Sequence, residues 1–359
     1  MKVKEITVSN YKKFIEPKTI SFCDSEGNVN DMNLLLGENG SGKSSILQAI
    51  VAAIAPLTRP GFKAQDLDWN GFVYRLIQSG RKPLKIDVEV DLCLEEIKAT
   101  QKLFDKLKAM DNKNRFTIRP SDKGNILLSF DYYKCRTVAK GSSNELFQLY
   151  GYQYAKQLSQ LESNVKGLFD NVGSIFWYTE NRNSFTLNLP FLDSKESIER
   201  ENSLDGVRSF LATSYYFHID LKRQNRTLKE GQFDFYENLE RIFRKVFPNR
   251  HFIGPAPRFD VFEQSQAPDF FLSDGQNQYE ISEMSAGERA IFPILMDFAR
   301  YNINHSIIII DEVELHLHSP LQQGLIRALP SLGVDNQFIL TSHSDNVVVM
   351  FHDDEIIRL

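Results

Sequence analysis

The sequence predicts an α/β fold built around a phosphate-binding loop, and three stretches carry that prediction. The first is Asn33-Leu34-Leu35-Leu36, an apolar run that leads into Gly37-Glu38-Asn39-Gly40-Ser41-Gly42-Lys43-Ser44 and then a helical stretch. The second is Ser306-Ile307-Ile308-Ile309-Ile310-Asp311-Glu312, four isoleucines ending in two acids. The third is Phe338-Ile339-Leu340-Thr341-Ser342-His343-Ser344, another apolar run that ends in polar groups. The isoleucine run, lacking polar alternation, suits a parallel strand covered on both faces. In such sheets ligands bind beyond the carboxyl ends of strands, where Asp311 and Glu312 are expected.

The first stretch spells G-x-x-x-x-G-K-[ST]. Glycines at 37, 40 and 42 let the backbone turn tightly, so that successive N–H groups point at phosphate oxygens. Lys43 brings a compact positive charge to the β- and γ-phosphates, and the Ser44 hydroxyl suits Mg²⁺. Beyond the loop, Ser44-Ser45-Ile46-Leu47-Gln48-Ala49-Ile50-Val51 has helical periodicity, with Ile46, Leu47 and Ile50 on one face. A strand, a glycine turn and a helix start aimed at an anion form a triphosphate site.

Composition bounds the function. The chain is 42% hydrophobic and 25% charged, as in soluble globular proteins, with no apolar run near the length of a membrane span. Met1-Lys2-Val3-Lys4-Glu5-Ile6-Thr7-Val8 alternates like a strand and does not read as a signal peptide. Cys23, Cys93 and Cys135 are isolated and form no C-x-x-C, so a cytoplasmic protein without thiolate zinc sites is expected. Net charge is −5, which lends no help to nucleic-acid binding and leaves a local basic patch open.

The chain divides into three stretches. Residues 1–92 hold the phosphate loop and end in the alternating strand Leu84 to Leu92. Residues 93–250 read as a mainly helical insertion, with helices near Glu95 to Met110, Glu145 to Phe169 and Phe233 to Phe247, and a strand at Asn125 to Phe130. Residues 251–359 return to α/β character. There Met284-Ser285-Ala286-Gly287-Glu288-Arg289 follows the strand-like Gln278 to Ile281 and opens the apolar helix Ile291 to Phe298. Ser285 and Gly287 at a helix start offer a hydroxyl and bare N–H groups to an anion, while Ser285 with Glu288 also reads as an ordinary capping box.

These motifs together resemble the ABC-type ATPases of the SMC, RecF and OLD group. Ile6 to Phe14 looks like that group's N-terminal hairpin, and Gly37 to Ser44 matches its Walker A motif. Ser285-Ala286-Gly287-Glu288 looks like its signature in the S-x-G-E form, and Asp311 to His318 resembles its Walker B and D-loop stretch. Ser319 intervenes before Pro320, where the family places proline directly after the second histidine. The resemblance implies a P-loop NTPase with ABC-ATPase head architecture: a mixed central sheet flanked by helices, an N-terminal antiparallel hairpin layer and a mid-chain insertion. It also implies that the whole chain is one such head.

The resemblance further implies ATP and Mg²⁺ as cofactors and a homodimer that sandwiches two nucleotides. Asp311 would join Ser44 at the metal, Glu312 would polarise the attacking water, and His343 would contact the γ-phosphate in cis. Ser285, Ala286, Gly287 and Glu288 would reach it in trans. The Q-loop glutamine is Gln65, with Gln78 as competitor and a surface role as the bland alternative. Lys12 and Lys13 are candidates to approach the nucleotide from the hairpin, or form a solvated basic turn.

Other features have plainer readings. His316, His318 and His343 could be a zinc set, but the D-loop match explains the first two better. Phe176-Trp177-Tyr178-Thr179-Glu180-Asn181-Arg182 reads as a core strand before a base-stacking platform, and Leu221 to Arg226 as a solvated helix face before a phosphate contact. The insertion is too short and irregular for SMC coiled coils. The sequence ends at Leu359, just past Phe338 to Ser344, which matches that group's switch-histidine strand, whereas OLD nucleases continue into a nuclease domain. The expected function is therefore a slow ATPase head in bacterial anti-phage defence or DNA repair, with a nuclease or toxin in a separate chain and DNA as a further partner. Septu-type and retron-associated defence ATPases are of this kind. The alternatives are an ATP-dependent scaffold that meets no nucleic acid and, behind it, a transporter ATPase subunit.

Overall fold

The computed structural model describes residues 1–59, 61–73, 83–111, 115–131, 136–161, 167–180, 182, 203–225, 227–228, 233–257 and 267–359. The chain forms two units. One comprises Met1–Thr179, Ile303–Val313 and Gly333–Leu359; the other comprises Glu180–Asn302 and Glu314–Leu332.

The first unit holds two five-stranded sheets. Strands β1 (Lys2–Ser9), β2 (Lys18–Ser21), β4 (Lys85–Asp91), β5 (Asn125–Asp131) and β6 (Arg136–Ala139) pair antiparallel in the order β2-β1-β4-β5-β6. Strands β3 (Met32–Leu36), β7 (Ile175–Tyr178), β11 (Ile307–Ile310), β12 (Gln337–Ser342) and β13 (Ile356–Arg358) run parallel in the order β13-β3-β12-β11-β7. Among the described residues of this unit the named strands pair antiparallel in the first sheet and parallel in the second, and the expected hairpin is one edge of the first. The mid-chain stretch supplies strands to both sheets.

Burial follows the residue pattern. Every residue of β7, β11 and β12 is buried, as continuous apolar runs require in a sheet covered on both faces. In β1, Val3, Ile6 and Val8 are fully buried, so one face of the antiparallel sheet is dry. Helix α1 (Lys43–Thr58) is buried along nearly its whole length, and its side chains share one apolar core with residues of both sheets. Such a helix is hydrophobic all round because it has no solvent face. Arg59, just past α1, donates two hydrogen bonds to the Ile175 carbonyl and lies 3.9 Å over the Trp177 ring, which ties the edge strand β7 to the helix end.

Helices Leu94–Met110 and Gly151–Leu161 share a satellite cluster around Phe104, Tyr154 and Leu158. The helical stretch expected from Glu145 to Phe169 is broken: Ser143–Phe147 is one helix, Gln148–Tyr150 is a 3-10 turn, and Gly151–Leu161 is the next helix.

The second unit contains helices Leu204–Arg223, Phe235–Val246, Ala286–Tyr301 and Ser319–Ala328, with the antiparallel strands β8 (His251–Ala256), β9 (Asp269–Ser273) and β10 (Gln278–Glu280). Phe243, Phe252 and Phe292 pack ring against ring and join a helix, a strand and the helix that opens at Ala286. Of the expectations above, Gln78, Cys135, Asn181 and Arg226 lie outside the described residues. Cys23 and Cys93 are free thiols. No helix among the described residues is long and apolar enough to cross a membrane.

Candidate nucleotide-binding site

Strand register brings the predicted motifs to one edge of the parallel sheet. β12 lies between β3 and β11, with Ser342 opposite Leu36 and Leu340 opposite Ile310. Gly37, Asp311 and His343 therefore emerge at the carboxyl ends of three neighbouring strands, where parallel sheets bind ligands.

The loop Gly37–Gly42 has the geometry of an anion cradle. Gly40 and Gly42 take positive φ, 77° and 100°, in the left-handed region that favours glycine. A Cβ on Gly42 would also stand 2.6 Å from the Phe14 ring. Lys43 is buried, and its Nζ donates to the carbonyls of Gly37 and Glu38 at 2.8 and 3.1 Å, folding the amine back over the loop. Glu38, Asn39 and Gly40 are exposed, and Ser44 and Ser45 are half-buried at the helix start. The first turn of α1 has no acidic side chain, and no side chain caps it among the described residues. A helix start left this way presents bare N–H groups and a positive dipole end. The buried Ser41 Oγ has no hydrogen-bond partner among the described residues. These donors fit a triphosphate. A groove of about 440 Å³ beside the loop is lined by Leu36 to Ser41, Lys13, Arg358 and Leu359.

Both hairpin lysines reach this region. Lys13 Nζ donates to the Gly40 carbonyl at 3.0 Å. Lys12 Nζ donates to Gln48 Oε1 on α1, and Gln48 in turn donates to the Asn70 carbonyl at 2.9 Å. Burial pushes the Lys12 amine down to about 8, and the Asp311 carboxylate opposes that shift. Gln65 is exposed in the 3-10 turn Ala64–Asp66.

At the end of β11 the chain makes a strained turn. Asp311 is buried, and Glu312 has φ 48°, left-handed for a residue that carries a Cβ. Thr341 holds the turn. Its Oγ1 donates to Asp311 Oδ1 at 2.6 Å and accepts from the Glu312 amide at 2.7 Å, while its carbonyl accepts from the Val313 amide at 3.0 Å. His343 is exposed two residues further on. The Ser44 hydroxyl and the Asp311 carboxylate are hard oxygen donors of the kind Mg²⁺ takes.

In the second unit, Ser285 caps helix Ala286–Tyr301. Its Oγ accepts from the Glu288 amide, and Glu288 Oε2 accepts from the Ser285 amide at 2.8 Å, a reciprocal capping box. Ser285 and Ala286 are exposed, whereas Gly287 and Glu288 are buried. The other Glu288 oxygen takes the Tyr279 hydroxyl and pairs with Arg250, so this carboxylate serves the loop's own geometry. A Cβ on Gly287 would lie 3.0 Å from Leu321 Cδ2 and 3.2 Å from the His316 carbonyl. Just upstream, Glu280 accepts two bonds from Arg208 at 2.9 and 2.7 Å, and the Ser282 and Phe270 amides complete its shell. His316 and His318 are exposed.

A family model described as an AAA ATPase domain matches residues 1–348. The chain belongs to that AAA ATPase domain family. It is an ATPase, and the loop at Gly37 is the motif such an enzyme needs for its nucleotide. Two relatives are described as probable ATPases. The chain is 24% identical to the retron Vc95 probable ATPase of Vibrio cholerae serotype O1 biovar El Tor over 398 aligned positions, which take in 99% of this chain and 73% of that protein. It is 23% identical to the retron Ec83 probable ATPase of Escherichia coli over 384 positions, covering 97% and 69%. Among solved structures, an SMC head bound to the C-winged helix domain of ScpA aligns with a TM-score of 0.53 at 15% identity, over 100% of this chain and 94% of that one. A Pyrococcus furiosus SMC head with an extended coiled coil, bound to the C-terminal domain of ScpA, gives 0.50 at 15% identity, over 99% and 93%. The fold of this AAA ATPase domain is thus that of an ABC-type head.

Sequence reasoning missed Thr341, Gln48, Arg208 and Arg250. Only the T-S-H spacing and the polar break in an apolar α1 could have pointed to the first two.

Proposed function

We propose that this ATPase is a slow, ATP-switched head that closes with a second copy of itself around two ATP molecules. The Gly37–Ser45 loop grips the phosphates with Lys43, and Lys12 and Lys13 add charge from the hairpin. Ser44 and Asp311 hold Mg²⁺, with Gln65 as a third ligand. Glu312 orients the attacking water, and His343 contacts the γ-phosphate. Ser285, Ala286 and Gly287 face the nucleotide of the other copy, with Glu288 shaping their loop. A two-fold dimer satisfies this reciprocity, and loss of the γ-phosphate reopens it.

The observation that carries the reading is the meeting of the glycine loop, the Asp311–Glu312 turn and His343 at one sheet edge. On this reading one copy supplies the phosphate loop and the metal ligands, and an anion-binding helix start from opposite would complete the site. The exposed Ser285–Ala286 cap is a helix start of that kind. The retron relatives favour an output in bacterial anti-phage defence, with DNA repair as the other setting, through a nuclease or toxin chain in the cytoplasm and with DNA as a further partner.

Mixing two inactive variants tests the shared site. Lys43→Ala and Ser285→Arg should each be dead alone, yet a mixed dimer pairs the intact loop of one copy with the intact cap of the other. An equimolar mixture should recover about a quarter of the wild-type rate if copies exchange at random. No recovery at any ratio counts against a site completed in trans. A net charge of −5 favours a second reading, an ATP-dependent scaffold without nucleic-acid contact. DNA affinity that is absent at low salt with and without ATP would select it.

A further inference from the structure

We propose that Thr341 is the positioning residue of the hydrolytic turn, the group that sets both the orientation of the Asp311 carboxylate and the backbone of Glu312. The inference rests on the reading of Asp311 as a metal ligand and Glu312 as the residue that orients water.

Thr341 sits on β12, fully buried, between the strand that leads to the glycine loop and the strand that ends in Asp311. It touches three consecutive residues of the turn. Its hydroxyl has one proton, and that proton goes to Asp311 Oδ1. The same oxygen accepts the Glu312 amide, and the Thr341 carbonyl accepts the amide of Val313. The hydroxyl thereby assigns distinct roles to the two carboxylate oxygens: Oδ1 is engaged from β12, and the ring of orientations open to Oδ2 is narrowed with it. A carboxylate that ligates a metal is oriented in this way by groups behind it.

The Glu312 amide bond has a second consequence. A left-handed φ of 48° at a residue with a Cβ is unfavourable unless its surroundings over-determine it. Three hydrogen bonds from one residue to the turn do so. They aim the Glu312 side chain, because in a left-handed turn the Cβ direction follows directly from φ and ψ. Valine matches threonine in shape but has no proton for Asp311 and no lone pair for the Glu312 amide. Serine supplies both.

The experiment compares Thr341→Val, Thr341→Ala and Thr341→Ser with wild type, and includes Asp311→Asn. A fluorescent ATP analogue is titrated with Mg²⁺ and with excess chelator, and kcat and thermal midpoint are measured on the same samples. Thr341→Val should bind the metal-free analogue as wild type does, lose about tenfold of the affinity gained from Mg²⁺, and lose kcat by at least about tenfold. Thr341→Ser should restore both. Should the valine variant not fold, the alanine variant, which leaves room for water behind Asp311, carries the same expectation. A Mg²⁺-dependent affinity and kcat within about twofold of wild type in the hydroxyl-less variant overturn the proposal. So does a serine variant as impaired as the valine one at an unchanged thermal midpoint. If Asp311→Asn keeps the full Mg²⁺ effect, the assignment of Asp311 fails; if it loses that effect and Thr341→Val does not, only the role of Thr341 fails.

Discussion

Gln337 and Val3, near opposite ends of the chain, exchange a reciprocal pair of hydrogen bonds. The Val3 amide donates to Gln337 Oε1 at 2.7 Å, and Gln337 Nε2 donates to the Val3 carbonyl at 2.8 Å. Gln337 is fully buried at the start of β12, so its side-chain amide acts as an extra ladder rung between the antiparallel and parallel sheets. Gln337→Leu leaves both Val3 groups unpaired in a dry core and should cost about 2–4 kcal/mol of stability. Chemical denaturation measures the loss; a change below about 0.5 kcal/mol would show that the bonds are replaced.

Lys43→Ala should abolish turnover while the fold persists. Lys43 Nζ donates to the Gly37 and Glu38 carbonyls of the loop, so its removal acts first on the loop. We expect at least about a hundredfold loss in steady-state ATP hydrolysis, as for other preorganised charge contacts to a transferring phosphoryl group. Normal turnover in this variant would sink the site assignment.

Glu312→Gln keeps the turn's backbone contacts to Thr341 and removes the group proposed to orient water. The variant should bind ATP, hydrolyse it at least about a hundredfold more slowly and accumulate as a dimer. Light scattering with and without ATP reads the outcome, and an unchanged mass on adding ATP counts against the sandwich.

Gly42→Ala combines two penalties, a φ of 100° and a Cβ that would meet the Phe14 ring at 2.6 Å. Stability should fall by about 1–3 kcal/mol, and ATP affinity should fall with it, because the loop must open to relieve the clash. Calorimetry on one preparation gives both numbers.

Glu280 predicts an acid limit. Burial alone pushes its carboxyl up, but the Arg208 guanidinium, Ser282 and the Phe270 amide together hold it at about 2, below the ordinary 4.5. The folded state therefore binds this proton less readily than the unfolded chain. The stabilisation is fully present above pH 4.5 and is lost as pH falls towards about 2. It amounts to on the order of 2–3 kcal/mol. Glu280→Gln should be less stable at neutral pH, since it takes the buried carboxylate from Arg208 and leaves it to Asp205 and the more distant Asp269, and should show a flatter acid limb in a pH series of thermal midpoints. An unchanged acid limb would refute the assignment.

Local chemistry made much of this legible. The sequence points to β4, β5, β11 and the helix Phe235–Val246 within a few residues, because alternation and helical period are written in neighbouring positions. Helix Leu204–Arg223 escaped: its buried positions Val207, Leu211, Ala212 and His218 mix with exposed aromatics such as Tyr216, which blurs the apolar stripe.

The residues alone determined that a nucleotide loop follows Leu36, that two acids end an isoleucine strand and that Ser285 opens a helix, since each depends on contiguous side chains. Only the tertiary structure decided that β12 runs between β3 and β11 and so puts Thr341 against a turn 30 residues away. The same holds for Arg208 on Glu280, 72 residues apart, and for Lys12 on Gln48. Strand order and hydrogen-bond partners across such separations are fixed by which apolar faces bury one another, and no local propensity records that choice.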